Sequence, residues 1–125
     1  MGGSKNDAGK LRYDLIPPAP LAELAYVYTI GADKYNDWNW LKGFDWNRLY
    51  ASAQRHLQAW WMGTDRDPDD GQHPLSSVAW CMFALMEFQR LGIGNDNRPH
   101  NLDVEGGWLR EGSLAEDPGP TEPGG

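Results

Sequence analysis

The sequence predicts an all-α fold, a small helical bundle completed by oligomerisation, and three observations carry that prediction. Apolar residues recur at i, i+3, i+4 and i+7 in three separate stretches, the period of a helix with a covered face. Between the stretches lie runs dense in Gly, Pro, Asn and Asp, which break helices and favour turns. No apolar–polar alternation persists long enough to build a sheet, and no internal repeat is evident.

Residues 1–9 are small and polar and read as a flexible start. Residues 10–18 are expected to be extended, because a residue before proline is pushed out of the helical region. Pro20 suits the first turn of a helix, where its missing N–H is not needed. Leu21, Leu24, Ala25 and Tyr28 then predict a helix over residues 20–35, with Val27 and Ile30 on its other side and Gly31 weakening it locally. Residues 36–45 read as a loop rich in Trp and Asn, with Gly43 as a turn former. A second helix is predicted over residues 46–61, with the stripe Trp46, Leu49, Tyr50, Ala53, Leu57 and Trp60, Asp45 as N-cap and Gly63 as terminator. Residues 64–74 form a polar loop. A third helix is predicted over residues 75–91. It is apolar on nearly every face except at Glu87, which predicts a central position. The helical domain is thus expected over residues 10–93. Residues 94–125 read as an acidic, Gly- and Pro-rich disordered tail in which Trp108 and Leu109 are the pair able to dock.

The chain has 125 residues, 40% of them hydrophobic and 12% aromatic, with seven Trp, a composition of one packed domain. Seven Trp and an apolar third helix ask for more burial than three helices provide, which predicts a homo-oligomer. The net charge is -7. Residues 1–93 hold 11 acids and 9 bases, and residues 94–125 hold 7 acids and 2 bases, so the acidity belongs mostly to the tail. A body this close to neutral lacks the basic footprint that grips a nucleic-acid backbone, so no direct nucleic-acid binding is expected. No run approaches the ~20 apolar residues that span a bilayer, and no signal peptide opens the chain, so no membrane partner is expected and the predicted location is the cytoplasm. The single cysteine, Cys81, lies in an apolar run and reads as a small buried hydrophobe.

No phosphate-binding loop, GxGxxG, HExxH or GxSxG motif is present. The acidic run Asp65, Asp67, Asp69 and Asp70 before Gly71 falls out of register for a calcium loop, since Asp70 takes the place of the turn glycine and Ser76 that of the final Glu. Asp67 and Asp69 suit either a Mg²⁺ ion shared with phosphates or a solvated loop of Asx turns. His56 borders the apolar stripe of the second helix, either as a satisfied buried histidine or, beside Arg55, as a group facing a phosphate and a metal-bound water. Glu23 shares a helix face with Val27, Ile30 and Lys34, and its carboxylate needs either a cationic partner or a metal. Lys10, Arg12 and Lys34 are either scattered surface cations or, flanked by Tyr13, Tyr35, Asn39 and Trp40, parts of a nucleotide site in which aromatic faces stack on the base and Asn reads its edge.

Several blocks in order also resemble a known family: Gly9-Lys10-Leu11-Arg12-Tyr13-Asp14-Leu15-Ile16-Pro17-Pro18, then Tyr28-Thr29-Ile30-Gly31-Ala32 with Lys34-Tyr35, Asn39-Trp40, Arg55-His56-Leu57 with Ala59-Trp60, and Asp67-Pro68 with Gly71. Together they resemble the phage dATP/dGTP diphosphohydrolases, a family similar to the all-α MazG-like nucleoside triphosphate pyrophosphohydrolases. The resemblance implies a MazG-like bundle that hydrolyses purine deoxynucleoside triphosphates to monophosphate and pyrophosphate, in phage nucleotide-pool metabolism in the host cytoplasm. It implies Mg²⁺, or Mn²⁺, as cofactor. It implies Glu23 and His56 as catalytic groups, Glu23, His56, Asp67 and Asp69 around the metal, and Lys10, Arg12, Tyr13, Lys34, Tyr35, Asn39, Trp40 and Arg55 around the substrate. Two departures stand out. The paired ExxE and ExxD motifs of the MazG-like enzymes are absent, and Pro74-Leu75-Ser76-Ser77 stands where the phage family is expected to carry His-Leu-Ala-His, with His73 displaced by one position. A non-catalytic protein of the same fold that binds or sequesters nucleotides is the alternative these departures imply.

Overall fold

A computed structural model of the chain describes residues 3–4 and 6–99. Three helices form: α1 (Pro18–Tyr35), α2 (Trp46–Trp61) and α3 (Pro74–Leu91). Short 3-10 turns cover Tyr13–Leu15 and Asn39–Lys42, and the described residues contain no strand. This is the all-α fold expected. The tail beyond residue 99, with Trp108 and Leu109, lies outside the described residues.

Helix α1 begins two residues earlier than the pattern suggests. Pro17 is extended, Pro18 opens the helix, and Pro20 sits in the first turn, where no backbone N–H has an intrahelical partner. Helix α2 ends in a Schellman arrangement: the Thr64 N–H donates to Ala59 O and the Gly63 N–H to Trp60 O, with Gly63 at φ 108°. Helix α3 is capped by His73, whose Nδ1 accepts from the Leu75 N–H at 3.0 Å, with Pro74 as the first helical residue.

Helix α3 packs most extensively on α2 and also carries α1, so it occupies the predicted central place. The core is the α2–α3 seam, where Trp46, Leu49 and Ala53 meet Cys81, Ala84 and Phe88. The two alanines let the helices approach closely, and Phe44, Trp40 and Ile93 close the seam at one end. Leu24 and Val27 are the buried residues of α1.

The N-terminus of α2 is satisfied from far along the chain. Asp45 stands at the expected N-cap position, but its side chain makes no capping bond. Instead the Trp46 N–H donates to Asn95 O at 3.0 Å, and the Asn47 N–H donates to Asn97 Oδ1 at 3.0 Å. The Trp46 indole N–H donates to Ile93 O, and the Arg98 guanidinium lies 5.0 Å from the Trp46 ring centre. Residues 93–98 are therefore part of the packed domain, which extends past the boundary at residue 93 read from composition.

Candidate functional site

Helices α1 and α2 both lean on α3 and leave a cleft of about 1420 Å³ between them. That exceeds the ~300–1,000 Å³ usual for small-molecule sites. One wall is the second half of α1 with the 36–40 loop, the other is α2 at Ser52, His56 and Ala59, and the floor is α3 at Ser77, Trp80 and Cys81. The acidic loop closes the cleft with Thr64, Asp67, Asp70 and Gln72.

The cleft has two chemical characters. Its aromatic part is a cluster of Tyr28, Trp40 and Trp80, with ring centres 5.9 to 6.5 Å apart in tilted and edge-on contacts. Among the described residues, neither the Tyr28 hydroxyl nor the indole N–H of Trp40 or Trp80 meets a protein acceptor. Burial first, and then the charge of Glu87, raise the Tyr28 hydroxyl above its ordinary pKa, so it stays a donor at neutral pH. Lys34 is the only lysine or arginine lining the cleft among the described residues.

Its polar part is organised by the acidic loop. Asp67 Oδ1 accepts from the Asp69 and Asp70 N–H groups, which is an Asx turn, and its other oxygen, Oδ2, accepts no bond among the described residues. Both Asp70 carboxylate oxygens are taken up by Gln72, through its N–H and its side-chain amide. The Ser77 hydroxyl donates to Gln72 Oε1 at 2.8 Å, tying the loop to α3. Cys81 is buried beneath, and burial holds its thiol above the ordinary cysteine pKa, against the weaker pull of Ser52 and Arg55.

The structure brings Lys34, Tyr35, Asn39, Trp40, His56 and Asp67 to the same cleft. It places the other expected residues elsewhere. Glu23 makes a two-pronged ion pair with Arg66, at 2.7 and 2.8 Å, in a separate shallow depression with Tyr26. That pairing holds its carboxylate below the ordinary range. Because the Tyr26 hydroxyl donates to Asp70 O beside it, this pair clamps α1 to the acidic loop; it does not face His56 across the cleft. Lys10 pairs with Asp7 and Arg12 with Asp14, both exposed and both off the cleft, as is Tyr13. Arg55 is exposed on α2, and Asp69 contributes its N–H to the Asx turn without lining the cleft. Among the described residues no three His, Cys, Asp or Glu side chains converge as a metal cluster. Tyr28, Trp80 and Gln72 were not among the site residues expected from the sequence, and Ser77 was noted there only as a departure from the family. For Tyr28 and Trp80 the signal was a polar atom on an otherwise apolar helix stripe, which a packed core would have to pair; Gln72, in the loop before α3, carried no such signal.

The sequence profile described as dATP/dGTP diphosphohydrolase, N-terminal, matches residues 1–98. The chain belongs to that family. The matched span includes the residues that cap α2. A relative named dATP/dGTP diphosphohydrolase, from Salmonella phage PMBT28, is 30% identical over 122 residues, 98% of this chain and 42% of its own length. The chain thus spans less than half of that relative. No solved structure matches the chain. In this member of the dATP/dGTP diphosphohydrolase N-terminal family, Pro74 and Ser77 both line the cleft, so the departures noted in the sequence fall on the site itself. Among the described residues no helix is long and apolar enough to cross a membrane.

Proposed function

We propose that the chain hydrolyses purine deoxynucleoside triphosphates, dATP or dGTP, to monophosphate and pyrophosphate in the cleft between α1 and α2. The observation that carries this is the joining of an aromatic shelf, a single cation and a tethered carboxylate in one cleft of a chain from this family. The base and sugar lie against Trp40, Tyr35 and Asn39, with Tyr28 offering its hydroxyl as a donor. Lys34 takes phosphate oxygens. His56, half-buried on α2, holds the proton of the attacking water. Water adds at the α-phosphorus, the bond from that phosphorus to the bridging oxygen breaks, and pyrophosphate leaves with the electron pair. Asp67 Oδ2 is a fitting ligand for Mg²⁺ or Mn²⁺, since such an ion needs only one or two carboxylates when phosphate oxygens and water complete its shell. When bound, the ion supplies charge neutralisation at the phosphates and a more acidic water. The activity would act on purine deoxynucleotide pools in the cytoplasm of a phage-infected host.

A second copy of the chain is the proposed partner. Trp61 and Met62 at the end of α2, at 78% and 82% exposure, and Met86 on α3 present apolar surface that a homo-oligomer covers. Light scattering on the purified chain should give a mass above 14.0 kDa.

A sequestering protein is the second reading. It is favoured by the lack of a three-ligand cluster among the described residues and by Pro74 and Ser77 on the cleft wall. One experiment separates the two: each of the four dNTPs is incubated with protein and Mg²⁺, and the products are resolved by ion exchange. Purine monophosphate with pyrophosphate establishes hydrolysis. Intact nucleotide that binds tightly establishes sequestration.

A further inference from the structure

We propose that Trp38 is the stacking surface for the nucleobase in this cleft, and that it sets a preference for the bicyclic purine over a pyrimidine. The inference rests on the nucleotide reading above and gives that site its selectivity. Trp38 lines the cleft with 68% of its surface exposed, so a large apolar ring is held in water at the rim. It is braced from the core outward. Its ring centre lies 6.2 Å from that of Trp40, tilted by 40°, and Trp40 in turn packs 6.0 Å from the fully buried Phe88.

The backbone that presents the ring is held against its own preference. Asn36 sits at φ 86°, ψ 160°, a region that glycine enters freely and other residues seldom do. Trp38 is left-handed at φ 60°, ψ 14°, unusual for a bulky residue. Three hydrogen bonds fix the turn: Asn36 N–H to Ala32 O at 2.7 Å, Asn39 N–H to Asn36 O, and Leu41 N–H to Trp38 O. The ring is therefore delivered to the rim by a tied segment, at the expense of backbone strain that packing of its own would not demand.

The neighbours of Trp38 match the parts of a nucleotide. The amides of Asn36 and Asn39 and the ammonium of Lys34 line the same wall, whereas the carboxylates of Asp67 and Asp70 come from the loop across α3. A flat head with hydrogen-bonding edges fits the first group, and an anionic tail with its counter-ion fits the span between the two. A purine covers more of an indole than a pyrimidine does, and stacking gains with the area covered.

The test uses the full chain and two uncleavable probes, the dATP and dCTP analogues in which nitrogen bridges the α- and β-phosphorus, titrated by calorimetry in Mg²⁺. Trp38→Asn removes the ring but keeps a residue that tolerates the left-handed region. It should weaken the purine probe about tenfold and the pyrimidine probe less than about twofold, since stacking accounts for the difference. Trp38→Phe should recover most of the loss. Tyr50→Ala, which removes an exposed aromatic ring outside the cleft, should change neither titration. Equal loss for both probes, or no loss, overturns the assignment. Turnover of dATP by the same proteins separates the failures. If the native chain cleaves dATP and Trp38→Asn keeps its purine preference, only the role of Trp38 falls. If the native chain neither binds nor cleaves a purine triphosphate, the nucleotide reading falls as well.

Discussion

The α2–α3 seam and the cleft beside α1 are built from the same residue types, and they treat those residues in opposite ways. In the seam, Trp46 is 9% exposed, its indole N–H is given to Ile93 O, and a guanidinium covers its ring. In the cleft, Tyr28, Trp40 and Trp80 touch one another but leave their polar atoms without protein partners among the described residues. An aromatic on a helix stripe therefore says little about core or site by itself. The fate of its one polar atom separates them, because a buried donor left unmade is expensive and evolution closes it wherever packing is the only purpose.

Perturbing each side in turn sharpens the contrast. The largest effect belongs to Phe88→Ala, which opens a cavity at the fully buried end of the seam and should cost about 3–5 kcal/mol, a large part of the ~5–15 kcal/mol that holds such a domain together. Thermal melting followed by circular dichroism reads it, and an unchanged melt would show that the seam is not the core. On the cleft side, Asp67→Asn keeps the oxygen that accepts the loop N–H groups but removes the charge. Turnover of dATP should fall about 100-fold or more while the melt hardly moves, in line with the loss of a charged group acting on the reacting phosphate. Gly94→Ala returns to the seam: its Cβ would stand 2.5 Å from Phe44 O at a φ of 77°, so the variant should lose about 1–3 kcal/mol and leave nucleotide affinity unchanged. Tyr28→Phe tests the open donor directly. Removing a hydroxyl without a protein partner should leave the melt nearly unaltered, while nucleotide affinity should drop roughly 2–10-fold, the worth of one hydrogen bond.

The smallest effect concerns the clamp between α1 and the acidic loop. Arg66 holds the Glu23 carboxylate below its ordinary pKa, so the pair adds stability at neutral pH that disappears as pH falls through that lowered value. Glu23→Gln should therefore lower the melting temperature slightly at neutral pH and converge with the native chain in strong acid. A constant gap down to the lowest pH would show that the ion pair is not what ties α1 to the acidic loop.

Most of the fold was legible because it depends on local rules. The stripes at Leu49, Ala53 and Trp60, the Gly63 terminator and the proline at 20 each act within one or two turns of helix, whereas Pro18, read as extended, opens α1. Half of the expected site residues meet at the cleft for a similar reason: Lys34, Tyr35, Asn39 and Trp40 are close in sequence, and His56 and Asp67 flank the end of α2. The others were misplaced by facts that spacing does not carry. Arg12 is taken up by Asp14 two residues away, and Glu23 by Arg66 across 43 residues. Tyr28 and Trp80 read as core because their stripes are apolar, and only the gap left where α1 and α2 both lean on α3 turns them toward a cleft.

The borrowed cap on α2 has a consequence for the order in which the molecule is made. Residues 95 and 97, which take up the Trp46 and Asn47 N–H groups, lie some 50 positions downstream of them. As the chain leaves the ribosome, α1, α2 and α3 are all synthesised before the segment that closes α2. Until then the first N–H groups of α2 can be satisfied only by water, while the seam itself is made by α2 and α3 with Ile93 packed against it. Closure of α2 is thereby coupled to the synthesis of residues 93–98: until they emerge, the backbone N–H groups of Trp46 and Asn47 and the Trp46 indole N–H lack the partners they have in the folded domain.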